Sequence, residues 1–144
     1  MRIGWNPPLE LALLALVTVQ VLKFLSTLIL QRRVDFRRLV GMGGMPSSHS
    51  ASVAALATAI GLEAGWDSPL FAVAAFFSLI VMHDAAGIRR AAGMQAQVLN
   101  RMLEELREHH TIGGERLIEF LGHTPLQVLA GTAYGIVLAL ALHP

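Results

Sequence analysis

The chain has 144 residues, 54% of them hydrophobic and only 15% charged, with a net charge of +1 and a mean hydropathy of +0.57, whereas soluble domains carry about 25% charged residues. That balance points to a lipid surrounding and leaves too little basic surface for a nucleic-acid binder. Cysteine is absent, which removes disulfide frameworks, thiolate zinc sites and cysteine nucleophiles.

In chain order, the first apolar stretch runs from Leu9 to Leu30 behind Pro7 and Pro8 and ends at Gln31-Arg32-Arg33. It is long enough to cross a hydrocarbon core of about 30 Å, and too long for the apolar part of a cleaved signal peptide, so it is expected as a retained span. A second stretch, Ser48 to Leu62, and a third, Pro69 to His83, each cover only about 22 Å at 1.5 Å per residue. Either their polar flanks complete them, with the third helix continuing through Arg90, or one of them is re-entrant. The polar section from Arg89 to Gly122 contains an amphipathic helix over Ala91 to Glu108, closed by Gly113-Gly114. The fourth hydrophobic helix, Pro125 to Leu142, begins with Thr124 as N-cap and Pro125 at the first helical position. The expected architecture is all-α: one membrane domain over residues 1–144, a bundle of about four hydrophobic helices plus one interfacial amphipathic helix.

Basic residues in short loops stay on the cytoplasmic side. Arg32, Arg33, Arg37 and Arg38 lie in the first loop and Arg89, Arg90, Arg101, Arg107 and Arg116 in the third, while the loop from Glu63 to Pro69 has none. Both termini are therefore expected outside. The same alternation carries the polar ends of all four spans, including Lys23, Ser47 to Ser50, His83 to Arg90 and Gly122 to Gln127, to the cytoplasmic face.

Three motifs there can carry chemistry. Gly43-Gly44-Met45-Pro46-Ser47-Ser48-His49-Ser50 puts a glycine turn and hydroxyls at a helix start, where unpaired N–H groups and the helix dipole attract anions; serines at such a position are otherwise ordinary caps. His83-Asp84 to Arg89-Arg90, followed by Gln95 and Asn100, offers guanidinium forks that match phosphate oxygens, or simply a basic flank to the third span. Gly122-His123-Thr124-Pro125-Leu126-Gln127 places a histidine beside a helix start, where imidazole serves as nucleophile or proton carrier. Lys23 lies inside the first span, either snorkelling to the interface or acting as a phosphate counter-charge.

Taken together, Lys23, the 43–50 segment, Asp84 to Arg90, Gln95 to Asn100 and Leu121 to Pro125 resemble the divergent type 2 phosphatidic acid phosphatase family, related to acid phosphatases and vanadium haloperoxidases. The resemblance covers most of the chain. It implies that Lys23 with Arg32 or Arg33 binds phosphate, that Ser47 and His49 supply donors and an acid, and that His123 is the nucleophile. The chain departs from the wider superfamily in having no Arg-Pro pair, Ser48 in place of a glycine, Leu117 in place of an arginine, and Gln127 where an acidic partner of the histidine belongs.

The implied activity is hydrolysis of a lipid phosphate monoester or diphosphate at the cytoplasmic face. Its headgroup would lie among Lys23, Ser47, Ser48, Arg89, Arg90 and Asn100, with His123, His49 and Asp84 as the catalytic set. No metal is required, although Asp84, Asn100 and Glu104 offer the oxygen ligands that Mg²⁺ favours. The alternatives are a non-catalytic phospholipid-binding or lipid-phosphate transport protein and a structural membrane subunit. A homodimer is expected through Gly131 and Gly135, whose spacing allows close helix contact. Substrate lipid and membrane lipids are the expected partners, and nucleic acid is not one.

Overall fold

The computed structural model describes residues 6–32, 34, 44–109 and 122–143, with the side chains of residues 30–31, 88–90 and 107–109 outside that description. These residues form five helices: α1 (Pro7–Gln31), α2 (Ser48–Ala64), α3 (Pro69–Ala86), α4 (Ile88–His109) and α5 (Pro125–Leu142). Four of them begin on a polar cap, because the first N–H groups of a helix have no carbonyl partner within it. The Asn6 side chain accepts from the Leu9 N–H, Ser47 from Ser50, Ser68 from Phe71 and Thr124 from Gln127. A proline follows the cap in α1, α3 and α5, where its missing N–H has no cost.

Inter-helix contacts fix the direction of each helix. Lys23 meets Ser48 and Thr18 meets Tyr134, so α1 runs against α2 and α5. The Ser78 hydroxyl donates to the Val53 carbonyl and Thr132 to the Met82 sulfur, so α3 also opposes α2 and α5. α2 and α5 run side by side in the same direction, with Gly131 against Ser47 and Gly135 against Ala51. The end of α1, the start of α2, the end of α3 and the start of α5 therefore share one end of the bundle.

α2 is the central helix, packed on α1, α3 and α5, while α4 packs on α3. Its buried positions are almost all small, and Ala51, Ala55 and Ala59 join Ala15, Val19 and Ala139 as fully buried members of the core. Large side chains face outward instead: Leu13, Val17, Val73, Phe76, Leu129 and Val137 are all exposed. In water so much exposed apolar surface would aggregate. In a bilayer it is the lipid-facing coat, and small residues bring the helices together.

Three segments, Pro7–Ile29, Pro69–Leu106 and Pro125–Leu142, are long and apolar enough to cross a membrane. α2 has 17 residues, about 26 Å at 1.5 Å per residue. The third span does reach past Arg90, with one interruption at Gly87. α3 ends at Ala86, its Gly87 cap closes onto the His83 carbonyl, and α4 starts afresh at Ile88. The glycine pair expected to meet a second copy of the chain is occupied within the chain. A Cβ at Gly131 would strike the Ser47 carbonyl, and one at Gly135 the Ala51 carbonyl. Both obstacles are backbone, which has no rotamer by which to move aside. Gly131→Ala and Gly135→Ala are each expected to destabilise the protein by about 1–3 kcal/mol, the usual cost of overpacking. Thermal unfolding in detergent should show this as a lowered Tm, with Ala133→Leu on the exposed face of α5 close to the parent.

Candidate functional site

The site is built where the α2 start docks on the α5 start. Because Gly131 presents no side chain, the Ser47 backbone approaches α5 closely enough for its N–H to donate to the Gln127 carbonyl at 3.0 Å. The fully buried Ser47 hydroxyl accepts from the Ser50 N–H at 3.3 Å and from the Ser50 hydroxyl at 3.0 Å. Ser50 was not singled out in the sequence, although its place three residues after the cap is where such a partner falls. The next residue, Ser48, is also buried, and Lys23 Nζ lies 3.5 Å from its Oγ. Only 4% of Lys23 is exposed. The ammonium thus sits within the bundle, where burial of a charge requires polar compensation.

His123 reaches the same end of the bundle from the other side. Gly122 has φ 91°, a left-handed conformation that glycine adopts without steric cost, and this turn delivers the His123 N–H to the Ala85 carbonyl at 2.8 Å. The imidazole is buried. Its Nδ1 lies 3.3 Å from Gln127 Oε1, an oxygen that also accepts from the Thr124 N–H at 3.0 Å. The His49 ring, half-buried in the first turn of α2, stands across from it with centroids 6.4 Å apart and planes inclined by 57°. That separation is wider than a direct hydrogen bond between the rings allows.

The other expected residues are carried by α1, α3 and α4 or lie outside the described residues. Asp84 is half-buried in the last turn of α3, one residue before the Ala85 carbonyl that holds His123. Asn100 is almost completely buried on α4, a degree of burial that the sequence pattern did not signal. Arg89 and Arg90 belong to the first turn of α4, and their side chains lie outside the described residues. Arg32 is exposed at the α1 C-cap with φ 50°. Arg33, Arg37, Arg38, Gly43, Gly113, Gly114 and Arg116 lie outside the described residues. Among the described residues no group of three or more His, Asp and Glu side chains could hold a metal ion; Glu104, considered with Asp84 and Asn100 for Mg²⁺, is exposed.

The Ser47 cap can be tested directly. Ser47→Ala removes the acceptor for the Ser50 N–H and leaves a buried hydroxyl on Ser50 to be satisfied. It is expected to cost about 1–2 kcal/mol, measured as a lower denaturation midpoint in detergent, whereas Ser47→Thr should stay nearer the parent.

A family model described as the divergent PAP2 family matches residues 5–138. Among curated proteins, the uncharacterized membrane protein YuiD of Bacillus subtilis (strain 168) is 42% identical over 153 residues, an alignment that covers 99% of this chain and 97% of that protein. No solved structure matches.

Proposed function

This chain belongs to the divergent PAP2 family, and from that premise we propose that it is a membrane phosphatase acting on a lipid phosphate monoester or diphosphate at the cytoplasmic face. The observation that carries the reading is the pair of imidazoles, His49 and His123, facing each other 6.4 Å apart beside a buried lysine and a helix N-terminus. An anionic headgroup fits this setting. Lys23 and the hydroxyl of Ser48, together with the first-turn N–H groups of α2, favour negative charge, and Arg89, Arg90 and Asn100 complete the proposed headgroup site.

In this mechanism His123 Nε2 attacks phosphorus and the bond to the leaving oxygen breaks. His49, protonated, gives its proton to the departing alkoxide or phosphate. Neutral His49 then takes a proton from water, whose oxygen attacks the phosphohistidine; inorganic phosphate leaves and His123 is regenerated. The charge that spreads over the equatorial oxygens is met by the cationic donors. Asp84 acts from the end of α3. Arg32, Arg33, Arg37 and Arg38, which follow the first span in sequence, support the cytoplasmic placement by the positive-inside rule.

A neutral glutamine beside the nucleophile favours a second reading, a protein that binds or moves lipid phosphates without cleaving them, since glutamine cannot compensate an imidazolium as a carboxylate does. Phosphate release separates the two. Purified protein in detergent and in liposomes, offered a panel of lipid phosphates with and without Mg²⁺, is expected to release phosphate. His123→Ala and His49→Ala are expected to abolish release, with thermal unfolding in detergent checking that each variant remains folded. Lys23→Met is expected to weaken headgroup binding by at least about tenfold, the loss of a charge-assisted contact worth roughly 1.5–3 kcal/mol. Headgroup binding with no release from any lipid would replace the phosphatase reading by the second one.

A further inference from the structure

The Thr124 N–H can only donate a hydrogen bond. It lies 3.0 Å from the end of the Gln127 side chain, so the atom it meets there is the amide oxygen; with the amide turned over, two donors would face each other. The same oxygen is 3.3 Å from His123 Nδ1. An acceptor facing Nδ1 requires the proton on Nδ1, because the tautomer of a neutral histidine follows from what its nitrogens meet. The chain of constraint thus runs from the backbone of Thr124 to the amide of Gln127 to the ring of His123. Both ends are anchored. Thr124 and Gln127 form a reciprocal cap on α5, with the Thr124 hydroxyl accepting from the Gln127 N–H at 3.3 Å, and the His123 backbone is held by Ala85.

We propose that Gln127 is a positioning residue that holds His123 in its Nδ1–H tautomer and so places the basic lone pair on Nε2, the atom that attacks phosphorus. This deepens the phosphohistidine reading and rests on it. A carboxylate at position 127 would accept from Nδ1–H and hold the same tautomer.

The test reads the ring itself as well as the reaction. The protein, labelled with ¹⁵N-histidine, is studied by NMR in detergent at a pH where imidazole is neutral, and His123 is assigned among the 6 histidines by its disappearance in His123→Gln. The expected spectrum has a pyrrole-like Nδ1 and a pyridine-like Nε2. Gln127→Glu keeps that pattern. Thr124→Ala, which weakens the helix cap but leaves the Gln127 oxygen in place, keeps it too, and this sets tautomer control apart from a general effect on the helix start. Gln127→Leu loses it. In parallel, phosphohistidine formation from a lipid phosphate should fall at least about tenfold in Gln127→Leu, since a misplaced imidazole proton disables the group, and be rescued in Gln127→Glu. A protonated Nε2 in the parent, or an unchanged tautomer in Gln127→Leu, would overturn the proposal. An Nδ1–H ring in a protein that forms no phosphohistidine would sustain the positioning role and remove the catalytic reading on which it was built.

Discussion

The contact on which the arrangement depends is between two backbones. α2 and α5 lie so close at Gly131 and Gly135 that a methyl group on either would collide with a carbonyl of the facing helix. That proximity lets the Ser47 N–H reach the Gln127 carbonyl, joining the cap of one helix to the first turn of the other. Gln127 is then held from two sides, its main chain by Ser47 and its side chain by Thr124 and His123. Two motifs far apart in sequence meet through one residue.

The rest of the bundle follows a rule suited to lipid. Water gives no hydrophobic reason for helices to associate inside a bilayer, so close packing of small residues and a few polar links do that work. The alanines of α2 supply the first. Tyr134 donating to Thr18 at 2.9 Å and Ser78 to the Val53 carbonyl at 3.0 Å supply the second. Polar groups of another kind, a buried lysine and two imidazoles, collect at one end, where the cost of desolvation is shared with caps and helix termini.

Much of the fold could be read in the chain because caps and prolines announce helix starts. Ser47, Ser68 with Pro69, and Thr124 with Pro125 mark the first residues of α2, α3 and α5. Ends were less legible. The third apolar run ends at His83, yet the backbone stays helical to Ala86, because the polar His83 and Asp84 end the run without disturbing the ladder. The true stop is Gly87. Alternation of the spans already brought Lys23, His49 and His123 to one end of the molecule. What the sequence could not tell was which helix the Gly131–Gly135 face would meet, since a small-residue spacing specifies close approach and not the partner. It also hid the double use of the Gln127 oxygen, which requires Gly122 to turn the chain so that Thr124 and His123 converge on it.

The central position of α2 bears on how the protein enters its membrane. Insertion is driven by Leu, Ile, Phe and Val; α2 has only Val53, Leu56, Ile60 and Leu62, whereas α3 carries Leu70, Phe71, Val73, Phe76, Phe77, Leu79, Ile80 and Val81. The turn between them, Gly65 to Ser68, is short and closed by its own hydrogen bond. α2 is therefore the poorest passenger of the bundle when taken alone, and its natural route across is as the trailing arm's companion, drawn in as one hairpin with α3. The interior helix that builds the site is then the one whose integration depends on the rest of the chain.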